Sequence, residues 1–585
     1  MLGSKTGSGF AGAVYRAGML AASAAFLGGW GTSWGATWTY PGCANVDDTK
    51  DFAYDTLVMR NKAPDAALLE PNKLAVVRDP AGDIEVYFTE RTGKFKVFRA
   101  KTRTVDLIRE FPVYTGDEDG LLGVAADPGF AGNRWLYFMY SVIDKDLWRV
   151  SRMTLSADRK SLSDEKIVFQ WEVQKKDCCH TGGGMAFDDV GDLWVTIGNN
   201  EGRGNDGISE TNKIASGEWG ASSTASVRGG VIRIHPKADG SYSIPKGNFW
   251  EYFADKFEKA GNAALAAQYR DSVKVKREIY VKGNRNPYTI ALDPARRWMG
   301  YGDVGPDGTQ PESTSLGEEY NLHLTPAFSG WPYFAGDNKM NAGNKDPLKP
   351  MNTSKWNTGV QQLPAVEKPF YAFNNSASIA GPIYRYNKAL VSPGKLPPHF
   401  HRHWFWNNWS GSKMEVFKVG DDGRPAAGWT APKGIMGNHA FAGVVEVKEG
   451  PDGALYVINY AGFFGSTAET RIERVYYKGA ACVADIAWEK GGCKALDPSV
   501  THDVPESCTG GAGLKGKAGA ARVSTAMTAS LGGLDRIWLP AGTRSAEIYD
   551  LGGRRAFALD GLSGERSLEL PSGMPKGIYR VVLSQ

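Results

Sequence analysis

The chain has 585 residues, with 68 Lys and Arg against 64 Asp and Glu. The whole basic surplus lies in residues 509–585 (10 basic, 6 acidic), so no basic stripe is left to hold a nucleic acid. Gly 72, Trp 18 and Tyr 24 make a turn-rich, aromatic-rich balance, which predicts an all-β protein of many short strands in more than one domain.

Residues 1–36 read as an export signal. Lys5 and Arg16 supply positive charge, and AGMLAASAAFLGG (17–29) is an apolar core too short to span a bilayer. Gly35 and Ala36 offer small residues for cleavage, although Trp34 fits that rule poorly. The mature protein is expected to be exported: periplasmic, cell-surface or secreted. Six cysteines suit such a compartment. Cys482–Cys493 and Cys43–Cys508 are two conceivable pairs, and the spacing leaves the connectivity open. No CxxC pair is present. Cys178 and Cys179 are adjacent, which suits a vicinal disulfide better than a shared metal.

Residues 37–480 repeat one loose pattern: an Asp-Pro or Asp/Gly turn, then a short aromatic and β-branched strand. Examples are RDPAGDIEVYFTE (78–90), ADPGFAGNRWLYFMYSV (126–142), FDDVGDLWVTIGNN (187–200) and GPDGALYVINY (450–460). About 440 residues suit six four-stranded propeller blades of roughly 70 residues with long loops. Residues 248–276 break the pattern with apolar residues at helical spacing, which predicts a helical insertion on one face of the propeller. Residues 481–533 form a Cys-containing segment and a Gly/Ala/Ser-rich linker. Residues 534–585 hold short strands, AEIYDLGGRRAFAL and GIYRVVLSQ among them, and predict a small C-terminal β-sandwich.

Three stretches carry candidate chemistry. DCCHTGGGMAF (177–187) puts His180 beside glycines that could leave room for a flat ligand; a loop histidine bonded to backbone is the plainer reading. GDVGPDG (302–308) offers the Gly305 and Pro306 carbonyls with Asp303 and Asp307 nearby, which suits Ca²⁺ or an ordinary Asp/Gly turn. HFHRHWFWNNW (399–409) could bind a metal through His401 and His403, but alternation along a strand favours a Trp-rich blade strand.

GLLGVAADPGF (120–130), CCHTGGGMAF (178–187), GNRNPYTIALDP (283–294), GDVGPDG (302–308), EEYNL (318–322), GWPYFAGDNK (330–339), AGPIYRY (380–386) and GPDGALYV (450–457) occur in one order. That order resembles the glucose/sorbosone dehydrogenase family, soluble six-bladed propellers that oxidise sugars with pyrroloquinoline quinone (PQQ). The resemblance covers roughly residues 65–477. It implies that His180 takes the proton of a sugar hydroxyl, with PQQ as hydride acceptor. It implies that Arg285 and Asn286 contact PQQ, that Gly305 and Pro306 hold Ca²⁺ with Asp307 close by, and that Glu118 is a polar cofactor contact. A sugar substrate and an exported electron acceptor such as a cytochrome or quinone follow from it. Two departures stand out. Cys179 replaces the family's Asp before the His, and Ala440 and Ala442 stand where arginines meet the PQQ carboxylates. Lys413, with His439 as a lesser candidate, would have to restore positive charge. A propeller that has lost PQQ and only binds carbohydrate or protein is the alternative. The tail resembles C-terminal sorting domains of type IX secretion cargo, which implies contact with secretion machinery.

Overall fold

The recurring aspartates explain the strand order. At the first turn of five blades an Asp carboxylate accepts the backbone N–H two residues on. The pairs are Asp79 with Ala81, Asp127 with Gly129, Asp188 with Val190, Asp293 with Ala295 and Asp452 with Ala454. Such a side chain replaces a missing ladder partner and presets the reversal between neighbouring strands. The computed structural model describes residues 50–478, except 202–207, 294, 296–297, 307–316, 342–344, 375, 388–389, 391, 393 and 463–464, together with the strands of residues 524–584.

Those turns generate six antiparallel blades. Blade 1 is Pro71–Arg78, Ile84–Glu90, Lys94–Arg99 and Thr104–Glu110. Blade 2 is Leu121–Ala126, Trp135–Ser141, Leu147–Leu155 and Leu162–Glu172. Blade 3 is Gly182–Phe187, Leu193–Ile197, Gly230–Pro236 and Ile279–Lys282, extended by the short parallel strand Ala327–Phe328. Blade 4 is Ala291–Asp293, Trp298–Asp303, Glu318–His323 and Tyr371–Phe373. Blade 5 is Ser378–Ile383, His403–Asn408, Met414–Lys418 and Lys433–Ile435. Blade 6 takes Val444–Glu449, Leu455–Asn459 and Arg471–Tyr477 from the end of the propeller and Phe52–Met59 from its start. This last pairing closes the ring by joining the two ends of the propeller within one sheet.

The first strand of each blade packs on the first strand of the next, and blade 6 packs on blade 1. The axis is filled by polar side chains. Glu446 pairs with Lys73 at 3.3 Å and Lys448 at 3.0 Å, and Lys448 reaches the carbonyls of Met185 and Ile290 in blades 3 and 4. Burial lowers the Lys73 ammonium to about 8, with Glu446 opposing the shift.

The expected helical insertion is two helices, Phe249–Lys259 and Ala263–Arg270, between the third and fourth strands of blade 3. Phe249, Phe253, Leu265 and Tyr269 bury against the core of blades 2 and 3. The Gly261–Asn262 break between them makes a reversal, with Asn262 accepting from the Leu265 N–H as a cap. The HFHRHWFWNNW stretch is a blade strand. Trp406 stacks on Tyr320 at 3.9 Å, and His403 lies buried parallel to His399 at 6.1 Å. Among the described residues no helix is long and apolar enough to cross a membrane.

Residues 511–585 form a separate unit. Its strands make a four-stranded antiparallel sheet, in the order Ser524–Ser530, Ile578–Ser584, Ser545–Tyr549 and Arg555–Asp560, and a pair, Arg536–Trp538 with Ser567–Glu569. Cys43, Cys482, Cys493 and Cys508, with the pairings considered for them, lie outside the described residues, as do residues 1–36.

Candidate active site

The loops leading into the first strands of blades 2, 3 and 4 are tied together by buried polar groups. His180 immediately precedes blade 3, with φ +62° and 5% exposure. Its backbone N–H donates to Glu118 Oε2 at 2.7 Å, and the Thr181 N–H donates to the same oxygen at 3.3 Å. Glu118, expected as a cofactor contact, therefore fixes the backbone of the His180 loop from the blade 2 side. Burial raises its carboxyl above the ordinary range; those N–H groups and Arg285 partly oppose the shift.

His180 Nδ1 lies 2.7 Å from Asn199 Oδ1. That oxygen also accepts the Glu201 N–H at 3.2 Å, which identifies it as the amide oxygen. Nδ1 must then donate, so Nε2 carries the imidazole lone pair. Asn199 was not singled out in the sequence; the GNN at the end of one blade 3 strand, like the GNRNP at the end of another, is the signal that could have found it. Its Nδ2 is buried without a hydrogen-bond partner among the described residues. A donor kept dry and unmatched is what a ligand acceptor would complete.

Arg285 and Asn286 close the cluster from blade 4. The Arg285 carbonyl accepts the Asn199 N–H at 2.8 Å, and Asn286 Oδ1 accepts the Gly182 N–H at 3.0 Å. Both backbone N–H groups donate to Asp303, at 3.0 and 2.6 Å, and Arg285 Nη1 donates to the Val304 carbonyl at 3.2 Å. Arg285 is 3% exposed. Next to it lie three buried carboxyls, Asp303, Glu318 and Glu319. Burial raises all three, Glu318 to about 8, and Arg285 opposes the shift at Asp303 and Glu318. Glu318 accepts the N–H groups of Gly305 and Ser378. Gly305 and Pro306 are buried beside this acid-rich pocket, and Asp307 falls outside the described residues. Two carboxyls, Asp303 and Glu318, act against the one guanidinium, with the Gly305 and Pro306 backbone beside them; this oxygen-rich set fits a hard cation such as Ca²⁺.

The glycines after His180 answer to blade packing and not to a ligand. A Cβ on Gly183 would lie 2.4 Å from the Leu122 carbonyl oxygen of blade 2, and one on Gly184 would lie 2.8 Å from Ile290 N of blade 4. The expectation that they clear space for a flat molecule is replaced by close strand packing between blades. Cys178 and Cys179 are joined by a disulfide immediately before His180. With Glu118 they form the one group of three metal-capable side chains among the described residues, but their sulfurs are committed to each other.

The opposite edge of the mouth is built differently. Arg471, not singled out in the sequence, reaches the Ala440–Ala442 segment from the strand Arg471–Tyr477. It donates to the Ala440 carbonyl at 2.6 Å and to Glu473 at 3.2 Å. His439 bonds Glu473 at 3.0 Å and stacks on Tyr54 at 3.8 Å, so it is a structural residue. Arg91 pairs with Glu70 at 2.7 Å and donates to the carbonyls of Thr115 and Asp119. Lys413 stands in blade 5, outside the three joined loops, and its charge acts on the buried Glu415.

The family model for Glucose / Sorbosone dehydrogenase matches residues 68–252. The aldose sugar dehydrogenase YliI of Escherichia coli K12 is 24% identical over 433 residues, 72% of this chain and 92% of that protein. An uncharacterized protein of Synechocystis is 26% identical over 262 residues; that match spans 43% of this chain and 54% of the relative's own length. A solved putative oxidoreductase (glucose dehydrogenase) of Thermus thermophilus has a TM-score of 0.50 at 22% identity, covering 72% of this chain and 99% of that one. A PQQ-bound aldose sugar dehydrogenase from Streptomyces coelicolor is 17% identical with a TM-score of 0.48, covering 73% and 98%. Over residues 68–252 the chain thus matches the glucose/sorbosone dehydrogenase family, on a six-bladed propeller.

Proposed function

We propose that the chain is an exported oxidoreductase that oxidises an aldose or a related sugar. The observation that carries this reading is the His180 ring, held by Asn199 in the tautomer that leaves Nε2 basic, beside the buried Arg285–Asn286 pair. Oxidation of a sugar hydroxyl removes one proton and one hydride. His180 Nε2 takes the proton, and Asn199 keeps the ring oriented while the charge develops. PQQ, when bound, supplies the two-electron acceptor for the hydride. Arg285 and Asn286 would hold it by hydrogen bonds, and Ca²⁺ would sit at the Gly305 and Pro306 carbonyls. The family match and the named activity of the Escherichia coli relative support the same reaction class. The electrons then leave to an exported acceptor such as a cytochrome or quinone, and residues 534–585 address the protein to secretion machinery.

A second reading rests on one feature. Arg471 and Arg91 are already matched by protein acceptors, and Ala440 and Ala442 offer no further cation. A propeller with that edge could bind carbohydrate or protein without redox chemistry. Titration of the metal-free protein with PQQ and Ca²⁺, followed by absorbance and calorimetry, separates the two. Calcium-dependent binding together with sugar-dependent dye reduction supports the oxidoreductase; no binding at micromolar PQQ overturns it.

A further inference from the structure

The first strand of blade 1 begins on the His180 side and ends at Arg78, roughly 20 Å further on. On that far side, between blades 6 and 1, a cleft of about 560 Å³ opens. We propose that it is a second binding site, and that it takes a sugar acid: a polyhydroxylated molecule carrying one carboxylate.

Leu57, Val86, Phe98 and Tyr456 line the cleft and are at most 4% exposed, giving an apolar base. Three ion pairs stand above it: Asp452 with Arg474 at 2.8 Å, Asp55 with Arg103 at 3.0 Å and Asp83 with Lys101 at 3.0 Å. Each pair cancels its own charge; the largely buried Asp452–Arg474 pair holds its donors and acceptors in place, and the other two are exposed rim pairs. An apolar floor under a few placed polar groups is the usual form of a small-molecule pocket, and the volume lies in the usual range. It suits the C–H face of a sugar with its hydroxyls turned to the rim.

Arg78 sets the charge. Its guanidinium donates to the carbonyls of Gly82 at 2.8 Å and Pro451 at 3.1 Å, bridging the two blades. Among the described residues it meets no carboxylate, and two of its five N–H groups are used. One uncompensated, planar cation asks for one carboxylate. A neutral sugar would leave that charge unanswered, and a phosphate dianion would face a single unmatched cation.

The test is calorimetry on the full chain with D-gluconate and D-glucuronate, beside glucose, acetate and inorganic phosphate. A sugar acid is expected to bind one-to-one, more tightly than any control. Arg78→Ala should weaken it about tenfold or more, the scale of one charge-assisted contact. Arg78→Met, which keeps much of the side-chain length and removes the charge, should do the same if the alanine variant does not fold. His180→Ala should leave binding unchanged. No binding of either acid overturns the proposal, as does acetate or phosphate binding as tightly as the sugar acids. Binding lost in His180→Ala and kept in both Arg78 variants also overturns it, because the ligand would then sit on the other face.

Discussion

Two edges of one propeller mouth treat buried carboxylates in opposite ways. At blade 6, Glu473 is met by His439, Arg471 and Asn459, and these partners hold its carboxyl below the ordinary range despite burial. At blade 4, Asp303 and Glu318 share Arg285, Glu319 is met by the Asn321 amide and a backbone N–H, and burial drives all three upward. Folding favours the first arrangement, in which every charge is matched. The second costs stability and is tolerable where something outside the chain completes it. The difference is what a working side at blades 2 to 4 would require, while blade 6 closes the ring.

The strongest way to break that division is at His180. His180→Ala should cut sugar-dependent dye reduction about 10²- to 10³-fold, the range of a lost general base. Thermal unfolding should stay close to the parent, because the imidazole is not a core filler. Undiminished turnover would remove the base from blade 3.

Glu473→Ala tests the other edge. It leaves Arg471 buried at 7% exposure without its carboxylate. The expected cost is about 3–5 kcal/mol of stability, read from denaturant midpoints. A cost below about 1 kcal/mol would mean that blade 6 is not held by this matched group. The comparison sharpens with Glu318→Gln, for which the sign is opposite. In the unfolded chain Glu318 ionises near 4.5, and in the folded chain near 8. The wild-type fold therefore loses stability as pH rises from about 4.5 to 8 and no further above it. Gln can accept the same N–H groups without a charge. In calcium-free buffer the variant should match the parent near pH 5 and exceed it at pH 8, by on the order of 2 kcal/mol. A constant difference across that range would dismiss burial of the charge as the cause.

Much of this architecture was legible in the sequence because it rests on local chemistry. The Asp turns that set the blades are side-chain-to-backbone bonds two residues apart, so DPAGD, DPGF and DDVGD announce them directly. His180, Arg285 and Asn286 stood in recognisable motifs, and the structure brings them together with Glu118. What was not legible depended on distance through space. Arg471 lies 31 residues from the Ala440 carbonyl it reaches, in a strand that looks like any other. Asn199 gains meaning only when the strand end carrying it meets His180. The Gly182–Gly184 run looked like room for a ligand because sequence cannot show that neighbouring strands, of the same blade and of the adjacent ones, already occupy it.

The smallest predicted effect bears on how the base is tuned. Asn199 Oδ1 accepts from Nδ1 without carrying charge, so it orients the ring and does little to favour the imidazolium. Asn199→Asp would keep the acceptor and add a negative charge at 2.7 Å from the ring, which favours the protonated form. A base that stays protonated to higher pH is inactive to higher pH. The acidic limb of the pH–rate profile should therefore move up by about one unit, while the rate on the alkaline plateau changes little. A fall in rate at every pH with no movement of the limb would mean that Asn199 serves the fold of the loop and not the basicity of His180.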